Sequence, residues 1–148
     1  NIKGKSHAIT AEIEVPTAGA DGVIIAQAGR FGGWSLYMKS GRVHEVYNFG
    51  GLQHFTVSSP RPVAPGRHTI HYEFVYDGGP PGSGGLSRLA IDDETPAETR
   101  VVRTMPFAYS ADEGVDVGAD NETPVTDAYP AHQNGFTGRI HKVTVSVR

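Results

Sequence analysis

Short segments in which apolar and polar residues alternate follow one another along the chain, separated by glycine and proline. The clearest segment is 67–76, where Ile70, Tyr72, Phe74 and Tyr76 occupy every second position. This period of two predicts a β-strand with one apolar face and one polar face. Similar segments predict strands over 8–15, 34–39, 42–49, 53–58, 86–92, 99–104 and 136–147.

Two segments depart from simple alternation. Residues 23–27 form the continuous run Val-Ile-Ile-Ala-Gln, which predicts a strand that is covered on both faces. In the last segment, Val143, Val145 and Val147 share one face, but Ile140 is out of phase with them. A β-bulge between residues 138 and 142 would turn all four side chains toward one core.

The order of these segments predicts an all-β fold. Segments 34–39 and 42–49 flank the two-residue turn Ser40-Gly41, as in a β-hairpin. No segment shows sustained helical periodicity, and roughly ten short strands separated by turns are typical of a sandwich or jelly roll. We therefore predict that residues 1–148 form one domain, an antiparallel two-sheet β-sandwich of the jelly-roll type.

Composition excludes several classes of function. The chain of 148 residues suits one domain and contains no cysteine, which removes disulfides, cysteine metal sites and thiol catalysis. The formal net charge is −3 without a basic block, so we expect neither nucleic acid nor a membrane surface as partner. No apolar run approaches the ~20 residues of a membrane span. Asn1 begins no signal peptide, and the cellular compartment stays open.

An acidic segment with interspersed glycines precedes the last strand. It contains Asp112, Glu113, Asp116 and Asp120, and carboxylates on a flexible loop are suitable ligands for Ca²⁺. Their spacing does not fit an EF-hand. The alternative is an acidic turn whose aspartate side chains accept hydrogen bonds from their own backbone amides. The sequence therefore predicts a candidate structural calcium site and leaves the purely structural alternative open.

A polar sheet face is the second candidate site. Arg42 and His44 would share one side of their strand, His71 and Glu73 one side of another, and Arg88 lies on the strand after that. Several cations on one face would suit an anionic ligand such as a sulfated sugar. Docking to another domain and simple solvation are the alternatives, because every antiparallel sandwich has solvated faces.

Arg30 and Trp34 lie together in a glycine-rich turn. Arginine beside aromatic residues is common in recognition sites, although the single tryptophan of the chain could equally anchor the core. Motifs of nucleophilic, phosphate-binding and zinc enzymes are missing from the sequence. Glu45 and Glu73 are the conceivable carboxylate pair for glycoside hydrolysis, but nothing in the pattern distinguishes them.

One family resemblance extends over nearly the whole chain. The segment 23–38, VIIAQAGRFGGWSLYM, resembles the opening of the C-terminal domain of large bacterial arylsulfatases. Further matching motifs follow in order: VYNF at 46–49, HYEF at 71–74, YDGG at 76–79, SADEG at 110–114, DVG at 116–118 and FTG at 136–138. At a coarser level, the strand pattern is similar to concanavalin-like and laminin-G-like sandwiches.

The resemblance implies a jelly roll that is attached to a sulfatase domain of the alkaline-phosphatase superfamily. The parent chain would then be a sulfuric ester hydrolase, whose formylglycine forms in a (C/S)-x-P-x-R motif beside a calcium ion. Residues 58–62, SSPRP, have the wrong spacing for that motif. No catalytic residue is therefore carried over to this chain.

Three hypotheses follow. The main prediction is a noncatalytic accessory domain that packs on a sulfatase catalytic domain, and it requires a sheet face that is apolar or rich in salt bridges. The alternative is a free-standing, lectin-like carbohydrate-binding module, with calcium as a candidate requirement. An independent enzyme is the third. Exposure of Trp34, Tyr37 and Tyr47 would distinguish the first two hypotheses. Buried rings favour a scaffold domain, and exposed rings favour a module that stacks on sugars.

Overall fold

The computed structural model describes residues 5–29, 32–104, 115–120, 124–130 and 134–147. Its strands are β1 (His7–Val15), β2 (Gly22–Gly29), β3 (Gly32–Lys39), β4 (Arg42–Phe49), β5 (Gln53–Ser58), β6 (Gly66–Tyr76), β7 (Ser83–Ile91), β8 (Ala97–Arg103), β9 (Val115–Val117) and β10 (Arg139–Val147). They form two five-stranded sheets. Sheet A has the order β10-β1-β6-β7-β8, and sheet B has the order β5-β4-β3-β2-β9.

All neighbouring strands in the two sheets pair antiparallel. The predicted all-β, two-sheet sandwich is therefore confirmed. The predicted hairpin is β3–β4, closed by Ser40 and Gly41 with φ angles of 55° and 79°. Two successive positive φ angles are those of a type I′ turn, whose twist matches the twist of the flanking strands.

The main core lies between the two sheets. Alternate residues of each strand point into it, because side chains on a strand change face at every step. Sheet A contributes Ile9, Ile13, Ile70, Tyr72, Phe74 and Leu89, and sheet B contributes Ile24, Trp34, Leu36, Met38, Val43 and Val57. The intervening residues of each strand point to the two outer faces of the sandwich.

A second, smaller core covers the outer face of sheet B. Val23, Ala26, Tyr37 and Val46 point outward there and pack against Val125 and Tyr129. The strand β2 is therefore covered on both faces, which confirms the prediction from its continuous apolar run. The covering segment lies very close to β2, since a Cβ added to Gly22 would be 2.2 Å from the carbonyl oxygen of Gly135.

The predicted bulge in the last strand is confirmed. Lys142 is opposite Glu12, but Ile140 is opposite Ile13, so β10 contains one extra residue, His141, at this point. The bulge lets both Ile140 and Val143 pack against the main core. Farther along, Val145 and Val147 are 41% and 45% exposed, and they lie on β10, the edge strand of sheet A. Within the described residues, no helix has the length and apolar character to cross a membrane.

Candidate functional site

A shallow groove lies on the outer face of sheet A, above β1, β6 and β7. Alternation along β6 buries Tyr72 and turns His71 and Glu73 outward. Strand pairing then places Thr10 beside His71, and Glu73 beside Arg88. The groove has a volume of about 280 Å³, and the outward-facing residues that line it include Ala8, Thr10, His71, Glu73, Arg88 and Ala90. We call this site the sheet A groove.

One arginine lies between two carboxylates at the groove. The Nε atom of Arg88 is 3.0 Å from Oε2 of Glu98, and its Nη1 atom is 3.9 Å from Oε1 of Glu73. All three side chains are partly exposed, so these pairs add little to stability. They place the guanidinium between a carboxylate on β6 and a carboxylate on β8.

Three of the predicted ligand-binding residues therefore meet in the groove: His71, Glu73 and Arg88. Arg42 and His44 do not join them, which corrects the expectation of a single polar face. These two residues lie on β4 in sheet B. The sheets of a sandwich turn their outer faces in opposite directions, so the two groups are on opposite sides of the domain.

On sheet B, the polar side chains of β4 hold neighbouring backbone. Nη1 of Arg42 donates to the carbonyl oxygen of Pro60 at 3.1 Å. Nδ1 of His44 is 2.7 Å from Oγ of Ser58, and partial burial lowers the pKa of this ring. Arg42 and His44 therefore serve the local structure around β5.

Trp34 belongs to the core. It is 2% exposed, and its Nε1 donates to Oε1 of Gln27 at 3.0 Å. Tyr37 and Tyr47 are also buried, so none of these three rings is available for stacking on a sugar. Arg30 lies outside the described residues. By the criterion set out above, the buried rings favour a scaffold, and any ligand contacts in the groove would be polar.

The acidic segment is only partly described: Asp112 and Glu113 lie outside the described residues. Asp116 is on β9 opposite Ala26. Asp120 is 1% exposed, and its Oδ2 atom accepts hydrogen bonds from the Val125 amide at 2.8 Å and from the Tyr129 hydroxyl. This carboxylate thus fixes the cover of sheet B. Among the described residues, no group of three or more His, Asp or Glu side chains could hold a metal ion.

The hydrogen bonds around Asp120 continue into a buried network. The Asn134 side chain accepts from the Asp120 amide at 2.8 Å and donates to the Asp120 carbonyl oxygen at 2.7 Å. The Tyr129 hydroxyl lies 3.0 Å from Oγ of Ser35. Burial is the main cause that raises the pKa of Tyr129, and the neighbouring Asp120 carboxylate raises it further. No sequence pattern indicated this network, because Ser35 and Tyr129 are 94 positions apart.

A second polar cluster is buried between the sheets. Glu45 is 1% exposed, and burial raises its pKa to about 8 although the Tyr72 hydroxyl donates to it. The Tyr72 hydroxyl is also 2.9 Å from Oγ of Ser87. Glu45 and Glu73 cannot act as a catalytic pair, since Glu45 faces the core and Glu73 faces solvent. Glu45 alternates with Val43 and Tyr47 on β4, and this pattern indicates that its side chain points into the core.

His7 lies in the same part of the core. Its ring stacks at an angle near Phe74, Tyr72 and Trp34, with centroid separations of 5.5, 5.8 and 6.4 Å. Burial lowers the pKa of His7 to about 4. The core therefore contains a carboxyl group and an imidazole that are both held in their neutral forms near pH 6.

Another cavity, of about 390 Å³, lies where the β3–β4 hairpin meets the cover of sheet B. Lys39 closes one side, with its Nζ donating to the carbonyl oxygen of Ala128 at 2.7 Å. Asp21, Ser40, Tyr129 and Asn134 also line it. None of the residues predicted to bind a ligand or a metal lines this cavity. Several of its polar groups form hydrogen bonds between neighbouring segments of the chain.

Comparison with known proteins identifies the fold. No family model matches this chain, and no curated protein matches it. Domains LG4-5 of the mouse laminin α1 chain match with a TM-score of 0.58 and 18% identity over 97% of this chain. This chain spans only 37% of that laminin chain.

A carbohydrate-binding module also matches. The CBM40 of the Ruminococcus gnavus IT-sialidase has a TM-score of 0.59 and 14% identity, covering 96% of this chain and 76% of its own. The same module bound to α2,3-sialyllactose gives a TM-score of 0.58, 15% identity and coverages of 96% and 75%.

Similarity at these identities shows the fold alone. The laminin-G-like part of the resemblance is confirmed, and the chain has the two-sheet sandwich of laminin G domains and CBM40 modules. None of these three structures is described as a sulfatase. The arylsulfatase resemblance therefore stays a prediction.

Proposed function

We propose that this chain is a carbohydrate-binding module and that its ligand occupies the sheet A groove. The observation that carries the proposal is the meeting of Thr10, His71, Glu73 and Arg88 in one outward-facing groove of about 280 Å³. That volume is close to the lower end of the range for small-molecule sites, about 300 Å³. The likeness of the fold to a CBM40 module supports the same class of ligand.

The chemistry of the groove suits hydroxyl groups. Each sugar hydroxyl can donate one hydrogen bond and accept others. The carboxylates of Glu73 and Glu98 accept, the guanidinium of Arg88 donates, and the Thr10 hydroxyl does both. Ala8 and Ala90 leave room above the strands, so a pyranose ring could approach the sheet while its hydroxyls reach the polar rim.

The test is a glycan array followed by calorimetry. We expect Arg88→Ala to weaken binding about tenfold, a loss of about 1.4 kcal/mol, because the groove loses its arginine donor. Arg61→Ala is the matched control, since Arg61 also forms an exposed pair with a glutamate, Glu94, at 2.9 Å, but on another part of the surface. Equal binding by wild type and Arg88→Ala, or binding to no glycan, would refute the proposal.

A second candidate function is the accessory domain of an arylsulfatase-like chain. One observation favours it: Val115, Val117, Val145 and Val147 are exposed along the side of the sandwich that β9 and β10 form. Exposed apolar side chains grouped in this way indicate a protein interface. The buried rings of Trp34, Tyr37 and Tyr47 agree with such a scaffold.

This alternative has its own test. The coding sequence around the chain should contain a (C/S)-x-P-x-R motif in the same reading frame. If it does, the double variant Val117→Lys and Val145→Lys should release the domain from the catalytic domain, as seen by limited proteolysis between them. A reading frame without that motif would exclude the accessory role in a sulfatase.

A further inference from the structure

The charges around the sheet A groove restrict the kind of carbohydrate it can accept. Among the described residues, two carboxylates, Glu73 and Glu98, flank the guanidinium of Arg88. These three side chains together carry a net charge of −1. Further charges on this face also occur in opposite pairs: Arg100, two positions from Glu98 on β8, is paired with Asp77, and Glu12 on β1 lies opposite Lys142 on β10.

We propose that the sheet A groove selects uncharged glycans and rejects sialylated or sulfated ones. This inference rests on the proposed carbohydrate-binding function and reverses the expectation from sequence that these residues would attract an anion. That expectation counted the cations of both sheets, whereas Arg42 and His44 lie on the opposite side of the domain.

Arg88 is the residue that would have to bind an anionic sugar. Its Nε atom already donates to Glu98 at 3.0 Å, and its Nη1 side faces Glu73 at 3.9 Å. A sialic acid carboxylate or a sulfate would have to use the remaining donors of the guanidinium and would then lie beside two like charges. An uncharged sugar meets no such repulsion, because its hydroxyls can donate to the same carboxylates while Arg88 stays in place.

This groove contains an arginine, as anion sites do, but its arginine is already paired with a carboxylate of the protein. Arginine binds carboxylate and sulfate groups best when its planar donors are available in pairs. Here Glu98 holds one edge of the guanidinium. Replacing that glutamate by glutamine keeps the shape of the side chain but removes its charge, so the same groove should then accept an anion more readily.

The experiment compares neutral glycans with their anionic counterparts. An array carrying neutral glycans, each beside its sialylated and sulfated forms, identifies the neutral ligand that binds most tightly. Calorimetry then measures that glycan and its sialylated form on wild type and two variants. In wild type we expect the sialylated form to bind about tenfold more weakly.

The two variants distinguish the effect of a charge beside the groove from the effect of the net charge of the protein. Glu98→Gln should bring the sialylated form to within about threefold of the neutral one. Glu94→Gln changes the net charge by the same amount but removes the partner of Arg61, outside the groove, and should leave the preference as in wild type. Circular dichroism and melting temperature confirm that both variants are folded.

The outcomes distinguish the inference from the function on which it rests. If wild type prefers sialylated or sulfated glycans and Arg88→Ala abolishes their binding, the groove is a glycan site and the inference is wrong. An equal effect of Glu94→Gln and Glu98→Gln also overturns it, since the preference would then be a long-range effect of net charge. Binding to no glycan of either charge overturns the proposed function itself.

Discussion

The two outer faces of this sandwich differ although the strands beneath them have the same geometry. The outer face of sheet A is open and polar, and it holds the groove with His71, Glu73 and Arg88. The outer face of sheet B is apolar at Val23, Ala26 and Val46, and it is covered by residues 124–130, with Asn134 beside them. A sheet that is covered on both faces requires apolar residues at successive positions, so the face that remains polar is the one available to a ligand.

The largest expected effect comes from removing the carboxylate that fixes the cover of sheet B. Asp120→Ala leaves the buried Val125 amide without its acceptor and the Tyr129 hydroxyl with only Oγ of Ser35, which should cost about 3 kcal/mol. Urea unfolding measures the loss. The matched variant Asp120→Asn keeps one acceptor oxygen and should cost only about 1 kcal/mol. A cost below about 1 kcal/mol for Asp120→Ala would mean that this network does not hold the cover in place.

The next prediction concerns the polar cluster between the two sheets and its response to pH. Burial raises the pKa of Glu45 from 4.5 to about 8, so stability falls as pH rises from about 4.5 to 8. Burial lowers the pKa of His7 from 6.5 to about 4, so stability rises with pH from about 4 to 6.5. The two slopes cancel between about 4.5 and 6.5, and stability should fall by about 2 kcal/mol from pH 6.5 to 8.

Thermal unfolding between pH 4 and pH 9 checks this profile. Glu45→Gln should abolish the fall above pH 6.5 and leave the His7 slope alone, so that stability rises with pH from about 4 to 6.5. His7→Phe should leave the Glu45 slope alone, so that stability falls continuously as pH rises from about 4.5 to 8. A wild-type profile that is flat from pH 6.5 to 8 would show that the Glu45 carboxyl group is not held in its protonated form.

A smaller effect is expected for two arginines on opposite faces, which should differ in their contributions to stability and to glycan binding. Arg42 on sheet B donates to the Pro60 carbonyl oxygen, so Arg42→Ala should cost about 1 kcal/mol of stability without weakening glycan binding. Arg88→Ala should weaken glycan binding and cost only about 0.3 kcal/mol of stability, because ion pairs as exposed as those of Arg88 contribute little. Denaturation and calorimetry on both variants measure the contrast. Loss of glycan binding in Arg42→Ala would place the site on sheet B.

The smallest expected effect is spectroscopic. Trp34 is the only tryptophan and lies on the inner face of sheet B, with the whole of sheet A between it and the groove. A saturating glycan should therefore leave its emission maximum unchanged, whereas unfolding in urea should shift the maximum to the red. A clear shift on binding would mean that the ligand contacts another surface, or that binding rearranges the core.

Local features of this fold could be predicted from the sequence. Alternation identified β6 and the β3–β4 hairpin, the continuous run at 23–27 identified a strand covered on both faces, and the phase of Ile140 identified the bulge. Each of these signals depends on neighbouring positions only. Alternation fixes the face on which a side chain lies, because successive Cβ atoms point in opposite directions.

Long-range features could not be predicted in this way. Alternation does not tell which sheet a strand joins, so it cannot separate Arg42 and His44 on sheet B from His71, Glu73 and Arg88 on sheet A. The network of Asp120 depends on contacts between distant segments, such as the bond from Asn48 Nδ2 to the Val125 carbonyl oxygen across 77 positions. The sequence presents Asp120 as one carboxylate of an acidic segment, and it does not show that this carboxylate accepts hydrogen bonds from the Val125 amide and the Tyr129 hydroxyl.

The bulge at His141 also determines how β10 would respond to changes in its length. Deleting His141 would leave Ile140 and Val143 two positions apart and on the same face, so the core should survive. Deleting Thr144 would instead turn Val145 and Val147 to the outer face, because a shift by one residue reverses every following side chain. Melting temperatures of single-residue deletions along β10 would reveal this difference, and the bulge is the position at which the strand can shorten without changing its inward-facing residues.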